Sequence, residues 1–233
     1  MVKRNSFPHP TLEEELELWK RGYSVIGIDE VGRGAFAGPL VVGAVVFPPF
    51  FSDKDTPNAR SILNEVRDSK MLVSKKREAL VSMIREVALT VQVAEVSVSV
   101  INKVGIGIAN QIGFRKAIQK AQKYLNGKKL FVLVDGFHAR YVRGIGLRNQ
   151  KAIIKGDQKS VSIASASIIA KVYRDSLMSS CDKSLAMYQF SKHKGYGTKL
   201  HQGLLKKYGV SPFHRQAFCR NILLDIPDFT SLR

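Results

Sequence analysis

Apolar residues along the chain follow patterns that predict one sheet and several helices. Continuous or alternating apolar runs rich in β-branched residues predict five strands, at residues 24–29, 40–47, 90–100, 130–134 and 152–154. Helices are predicted at residues 11–21, from residue 74, and at about 107–125, 160–179 and 199–208, with a loop at 48–58. Hairpin-like strands followed by strands that alternate with helices predict an α/β fold with a mixed five-stranded sheet flanked by helices.

The N-terminal segment is predicted to be a loose leader followed by a helix. Residues 1–10 are polar and contain two prolines. Thr11 and Glu14 have the spacing of a capping box, which predicts that Thr11 caps a helix running to about Arg21. The acidic residues at 13–17 suit the positive end of a helix, and we interpret them as a solvated face.

The charge of the chain predicts a polyanionic partner. Its 233 residues carry 37 Lys and Arg against 19 Asp and Glu, which gives a net charge of +18 at pH 7. Residues 1–60 hold 7 basic and 8 acidic side chains, so the excess lies further along the chain. Nucleic acid is the first partner expected for such an excess, and an anionic membrane surface is the second.

Cysteine usage and hydropathy exclude several classes of protein. Cys181 and Cys219 lie outside any metal-ligand spacing, so we expect neither a zinc site nor a disulfide framework. No signal peptide heads the chain, and no apolar run is long enough to span a bilayer. We therefore expect a cytoplasmic monomer without a membrane partner.

Four carboxylates are predicted at the ends of strands. Asp29 and Glu30 end the first predicted strand, Asp135 the fourth and Asp157 the fifth. Because sites in open α/β sheets form at strand ends, we expect the four side chains to share one cleft. Neighbouring strand residues point to opposite faces, so the first two can do so only if the strand ends or twists there. The glycines of residues 32–34 permit this and let a nucleic-acid strand approach.

A cluster of four carboxylates costs free energy unless cations neutralise it. The set contains oxygen donors without Cys or His, which favours the hard ions Mg²⁺ or Mn²⁺. Two such ions roughly 3.5–4 Å apart can activate a water and stabilise the leaving oxygen of a phosphodiester. The alternative for any single aspartate is a turn or a helix cap. Together the residues predict metal-dependent phosphodiester cleavage, with basic residues holding the strands.

The motifs of the chain resemble those of the ribonuclease HII family over about residues 24–220. The matching strings are DEVGRG at 29–34 with GP at 38–39, DSK at 68–70 with KRE at 76–78, VDG at 134–136, KGDQKS at 155–160, ASASIIAKV at 164–172 with RD at 174–175, GYGTKLH at 195–201 and SPFHR at 211–215. Together these strings are highly specific.

The resemblance implies a ribonuclease H-like fold with a helical C-terminal appendage. It also implies endonucleolytic cleavage of RNA in RNA–DNA hybrids, including single ribonucleotides embedded in duplex DNA. The implied cut lies 5′ of the ribonucleotide and leaves a 3′-hydroxyl and a 5′-phosphate. By position, the implied catalytic and Mn²⁺- or Mg²⁺-binding residues are Asp29, Glu30, Asp135 and Asp157.

The resemblance and the local charges also predict substrate contacts. The loop at 32–34 would contact the 2′-hydroxyl, which distinguishes RNA from DNA, and nearby phosphates. Tyr196 would stack on the deoxyribose after the ribonucleotide; the alternative is a tyrosine that fills a gap in its loop. The full predicted substrate-binding set is Gly32, Arg33, Gly34, Lys155, Lys159, Ser160 and Tyr196.

Several polar residues of the motifs are not expected to be catalytic. We interpret Arg174 and Asp175 as structural or phosphate-side residues, and Lys171 as a phosphate contact or a helix-face charge. His193 and His201 lack metal-ligand partners in the sequence, so solvated or packing roles are expected.

The predicted division of the chain is a leader and helix at 1–22, a catalytic domain at 23–185 and a helical appendage at 186–233. One departure from the family pattern is Gly105-Ile106 where an Asn-Ile pair is usual, followed by glycines at 107 and 113. Glycine weakens a helix by about 1 kcal/mol relative to alanine, so the helix start there is expected to be frayed or shifted.

Two other functions stay open at the level of sequence. One is a sister enzyme that cuts only longer RNA tracts in hybrids. The other is a non-catalytic nucleic-acid binder, which would explain the charge but not four carboxylates at strand ends.

Overall fold

The structure, a computed structural model, describes residues 9–51, 57–66, 73–181 and 185–224. The strands are β1 (Ser24–Val31), β2 (Leu40–Val46), β3 (Thr90–Val96), β4 (Leu130–Asp135) and β5 (Gln150–Ile153). The helices are α1 (Glu13–Lys20), α2 (Pro57–Glu65), α3 (Ser74–Val87), α4 (Val98–Tyr124), α5 (Val161–Cys181), α6 (Phe190–His193), α7 (Lys199–Tyr208) and α8 (Gln216–Leu224). Among these helices, none has both the length and the apolar content needed to cross a bilayer.

The five strands form one sheet in the order β3-β2-β1-β4-β5, which confirms the predicted mixed sheet. β1, β4 and β5 run parallel to one another. Ile28 of β1 lies opposite Val134 of β4, and Asp135 lies opposite Ile153 of β5. This register brings Asp29 and Asp135, each one residue further along, to the same edge of the sheet.

The chain divides into two compact units, each described here by itself. The first contains Met1–Glu30, Val42–Ala94 and Phe114–Val172, and the second contains Val31–Val41, Glu95–Gly113 and Tyr173–Arg233. The first unit holds the four candidate carboxylates. The second unit holds the glycine-rich loop at 32–34 and Tyr196. The predicted boundaries after residues 22 and 185 stay a prediction.

The sheet of the first unit is buried on both faces. Val25 and Leu133 belong to one apolar cluster, which includes residues of α1, α2, α3 and α5. Ile26 and Val134 belong to another, which includes residues of α4 and of the segment between β4 and β5. Alternate strand residues point to opposite faces, and both faces are covered. This explains why β1, β2 and β4 read as largely continuous apolar runs in the sequence.

The second unit has an apolar core of its own around the C-terminal helices. Its buried members come from α5, α6, α7, α8, the turn before α6 and the loop before β2; they are Ala37, Met178, Tyr188, Phe190, Leu205 and Cys219. Tyr188 and Phe190 stack with ring centroids 5.5 Å apart. The helical C-terminal segment predicted from the sequence is therefore present.

Several local predictions need correction. Leu12 and not Thr11 occupies the N-cap position of α1, although the Thr11 hydroxyl accepts from the N–H of Glu13, the first residue of the helix, at 3.4 Å. Thr11 also pairs through its main chain with the segment before α5. The third strand ends at Val96 and not at residue 100, because α4 begins at Val98. α2 occupies a region whose start was predicted as loop, because its amphipathic pattern is short.

The glycine-rich start of the long helix is shifted, as expected. α4 begins at Val98, and Gly105 interrupts it with a φ of 76° and a ψ of 161°. The predicted helix at 107–125 matches the part after this kink. The part before the kink was predicted as the end of a strand, because its valines favour strands as well.

α5 packs directly on the sheet, as its small residues predict. A Cβ atom on Gly43 of β2 would lie 2.2 Å from the main-chain oxygen of Ala166. A Cβ atom on Gly27 of β1 would lie 2.3 Å from the main-chain carbonyl carbon of Ser162. Glycine at these two positions lets the backbone of the helix touch the backbone of the strands.

We expect Gly43→Ala to lower the free energy of unfolding by about 2–3 kcal/mol, because the added methyl group meets rigid backbone. Urea unfolding measures this change. Gly107→Ala is the control, since no described atom outside its own helix lies within 4 Å of the added Cβ. That variant should equal the wild type or gain up to about 1 kcal/mol. Equal stability of Gly43→Ala and the wild type would contradict the close packing.

Candidate active site

Three of the four predicted carboxylates interact in the first unit. Asp29 is buried, with 6% of its surface exposed. Burial raises the pKa of Asp29 well above its ordinary value; the hydroxyl of Ser167 lowers it by hydrogen bonding, and the charges of Asp135 and Glu30 raise it. The parallel register of β1 and β4 therefore gathers mutually repelling acids at one edge of the sheet.

Glu30 does not end its strand, because β1 continues to Val31. The backbone N–H of Glu30 donates to Oδ1 of Asp29 at 2.7 Å. Glu30 is half-buried, whereas Asp29 is buried. The two carboxylates therefore interact electrostatically, although neighbouring side chains of a strand point to opposite faces of the sheet.

A tight turn after β5 brings the residue before Asp157 into hydrogen-bonding contact with Asp135. Lys155 adopts a left-handed conformation with a φ of 55°, and residues 156–158 form one turn of 3₁₀ helix. The backbone N–H of Gly156 donates to Oδ1 of Asp135 at 2.6 Å. Asp157 is the next residue, so the turn that carries it is bonded directly to the carboxylate of Asp135.

A buried glutamate of α1 supports the same segment. Oε1 of Glu15 accepts hydrogen bonds from the Ser160 hydroxyl at 2.5 Å and from the Ser162 hydroxyl and N–H at 2.7 and 2.9 Å. Burial raises the pKa of Glu15, while these hydrogen bonds lower it. Glu15 is fully buried, so the interpretation of the acidic run as a solvated face is wrong for this residue.

The predicted phosphate contacts at 155–160 divide into two kinds. Lys155 and Lys159 are exposed. Ser160 is fully buried, and its hydroxyl is bonded to Glu15. The two lysines can meet a phosphate, but in this structure a phosphate cannot reach the Ser160 side chain.

In the second unit, two buried arginines hold the loop at 32–38. Arg215 donates through Nη1 to the Gly32 and Arg33 carbonyls at 2.6 and 3.0 Å, and through Nε to the Gly38 carbonyl at 3.0 Å. Burial and the nearby Arg174 lower the pKa of Arg215 to about 10. Its five donors in a fixed plane suit a loop whose carbonyls point inward.

Arg174 holds the other side of this loop. Its guanidinium donates to the carbonyls of Pro39 at 3.0 Å, Ala37 at 2.9 Å and Lys194 at 2.9 Å. Gly32 has a φ of 90°, and a Cβ atom there would lie 2.2 Å from Nε of Arg174. The structural interpretation of Arg174 is confirmed. Glycine at position 32 is required by the arginine as well as by the backbone angle.

Tyr196 lies in the same unit as that loop. The main chain of Tyr196 pairs with that of Ala35. The half-buried ring of Tyr196 lies 5.2 Å from the guanidinium carbon of Arg174. The backbone N–H of Tyr196 donates to the carbonyl of His193 at 2.9 Å. Arg174 therefore connects the glycine loop with the tyrosine that was predicted to sense the RNA–DNA junction.

Two buried histidines are hydrogen-bonded to each other and to the main chain of Tyr196, and a third stacks on one of them. Nδ1 of His214 accepts from the Ser211 N–H at 2.9 Å, so its Nε2 carries the proton and donates to Nε2 of His201 at 3.1 Å. Nδ1 of His201 then donates to the Tyr196 carbonyl at 3.0 Å. The ring of His193 stacks on that of His201 with centroids 4.2 Å apart. This arrangement requires both linked imidazoles to be neutral.

The expected packing role of His193 and His201 is confirmed, and a solvated role is wrong. Their neighbours in the sequence are mostly polar, so the sequence does not indicate that these histidines are buried. Glu15 could have been found: it lies three residues after Leu12 and four before Trp19, within the apolar stripe of α1. The DSK string at 68–70 lies outside the described residues.

The donor set fits a hard divalent cation. Within the described residues, no three His, Cys, Asp or Glu side chains stand close enough to hold a metal ion as they are. Burial, followed by the charges of Asp135 and Glu30, raises the pKa of Asp29, and a bound cation would offset both effects. All donors are carboxylate oxygens, the ligands that Mg²⁺ and Mn²⁺ prefer.

Comparisons with known proteins match most of the chain. The sequence model of the family described as Ribonuclease HII matches residues 26–221. Ribonuclease HII of Clostridium botulinum (strain Langeland) is 44% identical over 201 residues, which cover 86% of this chain and 70% of that protein. Ribonuclease HII of Caldicellulosiruptor bescii is 42% identical over 212 residues, which cover 91% of this chain and 94% of that protein.

Similar folds occur among solved structures. The crystal structure of Bst-RNase HIII in complex with Mn²⁺ matches with a TM-score of 0.67 and 19% sequence identity. The match covers 88% of this chain and 71% of that one. It supports the same arrangement of a five-stranded sheet and helices.

We expect Arg215→Lys to lower the free energy of unfolding by about 2–4 kcal/mol, because lysine leaves buried carbonyls of the loop without donors. Chemical denaturation measures the loss, and hydrogen exchange should accelerate at residues 32–38. Arg220→Lys, an exposed substitution on α8, should stay within about 0.5 kcal/mol of the wild type. Unchanged exchange in Arg215→Lys would contradict the role of Arg215 in holding the loop.

The histidine group should make stability depend on pH. Burial lowers the pKa of His201 and of His214 from 6.5 to about 4. Between these values the unfolded chain binds protons that the folded protein does not, so stability falls as the pH falls from 6.5 towards 4. From pH 6.5 to pH 5 each imidazole should cost about 2 kcal/mol.

Urea unfolding at pH 7 and pH 5 tests this dependence. His201→Gln removes one of the two imidazoles, so its loss of stability between the two pH values should be smaller than that of the wild type. His138→Gln, at an exposed position, should show the wild-type loss. Equal losses in all three proteins would show that the group does not stay neutral when folded.

Proposed function

This chain belongs to the ribonuclease HII family, and we propose that it cleaves the RNA strand of RNA–DNA hybrids and also nicks duplex DNA at single embedded ribonucleotides. It is an endonuclease of the hydrolase class, and cleavage of RNA in RNA–DNA hybrids is the activity that the family implies. The finer substrate, the position of the cut and the residue roles are the proposal. Membership of an enzyme family argues against a non-catalytic nucleic-acid binder.

The observation that carries the proposal is the electrostatic group around Asp29. A buried carboxylate that interacts with Asp135 and Glu30 destabilises the fold unless a cation or a proton compensates it. Clustered carboxylates of this kind at the ends of strands are typical of a site that recruits positive charge. We assign Asp29, Glu30, Asp135 and Asp157 to the binding of two divalent ions, Mn²⁺ or Mg²⁺.

Bound ions would supply the positive charge that lowers the pKa of an attacking water and stabilises the leaving oxygen. The carboxylates of this chain fix the position of that charge on the rigid ends of β1 and β4. Attack by water oxygen on phosphorus forms one P–O bond and breaks the bond to the 3′ oxygen of the preceding nucleotide. The products are a 3′-hydroxyl and a 5′-phosphate on the ribonucleotide.

The remaining residues of the proposal bind and select the substrate. Arg33 and Gly34 are exposed, and no described atom lies within 4 Å of a Cβ built on Gly34, so a nucleic-acid backbone can approach the loop closely. Main-chain N–H groups of residues 32–34 would donate to the 2′-hydroxyl. Tyr196 would stack on the next deoxyribose. Lys155 and Lys159 would contact phosphates.

The proposal includes a cytoplasmic location and action as a monomer. No membrane partner is part of it. The alternative is the sister activity, cleavage restricted to longer RNA tracts. Long hybrids and a duplex with a single ribonucleotide distinguish the two activities.

We expect Asp135→Asn to abolish nicking of a duplex with one embedded ribonucleotide while leaving its binding within about threefold of the wild type. Nicking in Mn²⁺, with and without chelator, measures the first effect, and fluorescence anisotropy measures the second. The loss follows because the amide cannot supply the charge that holds a divalent ion. Full activity of the variant would overturn the assignment of Asp135.

Asp175→Asn is the matched control, since it removes one carboxylate from the same family motifs outside the proposed site. It should keep wild-type nicking. Wild-type cleavage of long hybrids without nicking at a single ribonucleotide would instead identify the sister activity.

A further inference from the structure

The segment between β4 and β5 carries basic and apolar side chains outside the site described above. Residues 136–156, between two candidate carboxylates, contain five Lys or Arg and no Asp or Glu. The part at 138–148 is called here the basic loop. Its side chains Arg140, Arg143 and Arg148 are exposed. A stretch of this length with charge of one sign fits a polyanion.

The basic loop has a fixed conformation. Ala139, Val142 and Ile145 are buried in the apolar cluster that includes α4. The side-chain amide of Gln150 accepts from the Ala139 N–H and donates to the Ala139 carbonyl, both at 3.0 Å. Two hydrogen bonds from α4 secure the loop further, from Arg115 to the Arg140 carbonyl at 3.3 Å and from Gln122 to the Arg143 carbonyl at 3.1 Å.

This fixed backbone holds an aromatic ring out in solvent. Tyr141 is 88% exposed and has a φ of 59°, a left-handed conformation that is uncommon for a bulky residue. Leu147 nearby is 60% exposed, and both side chains line an open cleft of about 600 Å³ together with Arg140. Although three buried residues anchor the loop, its backbone holds Tyr141 and Leu147 in solvent beside the exposed arginines.

The loop runs from the level of the candidate carboxylates towards the start of β5. Two residues separate it from Asp135 at the carboxyl end of β4, and one residue separates it from Gln150, which lies opposite Val132. Because a strand rises about 3.3 Å per residue, these two ends lie about 10 Å apart along β4. β5 is an edge strand, so the loop borders the open side of the sheet. A duplex extending from the cleavage site can therefore reach it.

We propose that the basic loop is a second nucleic-acid contact, which binds the duplex that flanks the cleavage site. Arg143 and Arg148 bind phosphates, and the ring of Tyr141 packs against sugars in the groove between them. The proposal rests on the proposed function, since it takes the flank of that substrate as the ligand. Phosphate contacts position a duplex without reading its sequence, so the loop binds any flank.

A triple substitution tests the proposal. Tyr141→Asn removes the ring and keeps a residue that tolerates the left-handed conformation, and Arg143→Ala and Arg148→Ala remove two charges. The matched control is Leu89→Asn with Lys75→Ala and Arg85→Ala. It removes one exposed apolar side chain and two exposed charges on and just after α3, whose buried residues belong to the apolar cluster on the other face of the sheet.

The main readout is binding of labelled all-DNA duplexes of 10 and 30 base pairs, in chelator, by fluorescence anisotropy. The wild type and the control should gain about tenfold or more in affinity from the longer duplex, and the triple variant less than about threefold. The slope of log affinity against log salt should fall by about 1.8 in the triple variant, as expected for two lost phosphate contacts.

Three results would overturn the proposal. They are unchanged affinity and salt slope in the triple variant, an equal loss in the control, and an equal loss on single-stranded DNA, which would make the ligand a single strand. Arg143→Gln with Arg148→Gln repeats the test if the triple variant has a lowered melting temperature. Because binding is measured without cleavage, failure of the proposed activity would appear separately, as absence of nicking by the wild type.

Discussion

Parallel pairing of β1 with β4 is the constraint on which the candidate site depends. The pairing of Ile28 with Val134 fixes the next residue of each strand, Asp29 and Asp135, at one edge of the sheet. A slip of one residue would turn one carboxylate into the apolar core. The apolar clusters on both faces prevent that slip, since residues 24–29 of β1 and 131–134 of β4 are all buried. The fold thus holds two repelling acids together with the free energy of burying its core.

Much of this arrangement could be predicted from the sequence, because the strands and the acids at their ends have strong local patterns. The strand at 130–134 and the helix at 199–208 depend on neighbouring residues alone, and they were predicted within a residue. The glycines at 105 and 107, which depart from the family pattern, predicted a disturbed helix start, and the structure has a kink at Gly105. The start of α4 was missed because its valines suit a strand as well as a helix.

The features that escaped prediction depend on contacts far apart in the chain. Nothing near Arg174 or Arg215 indicates that each is fully buried against main-chain carbonyls of the loop at 32–39. The proton order of the linked histidines depends on the Ser211 N–H, which fixes His214 and through it His201. A sequence reports that such residues are polar, but their partners are set by tertiary structure. Glu15 differs, since its place in the apolar stripe of α1 was visible.

The hydrogen bonds of Glu15 and the main-chain pairing of Thr11 have a consequence for where the enzyme begins. Both residues precede the segment that carries the family motifs, yet they secure residues 159–162, directly after the turn that bears Asp157. A shortened protein that started at β1 would keep every motif and lose this support. The N-terminal helix therefore supports the turn that bears Asp157, and a substitution at Glu15 would act on that turn as well as on the helix itself.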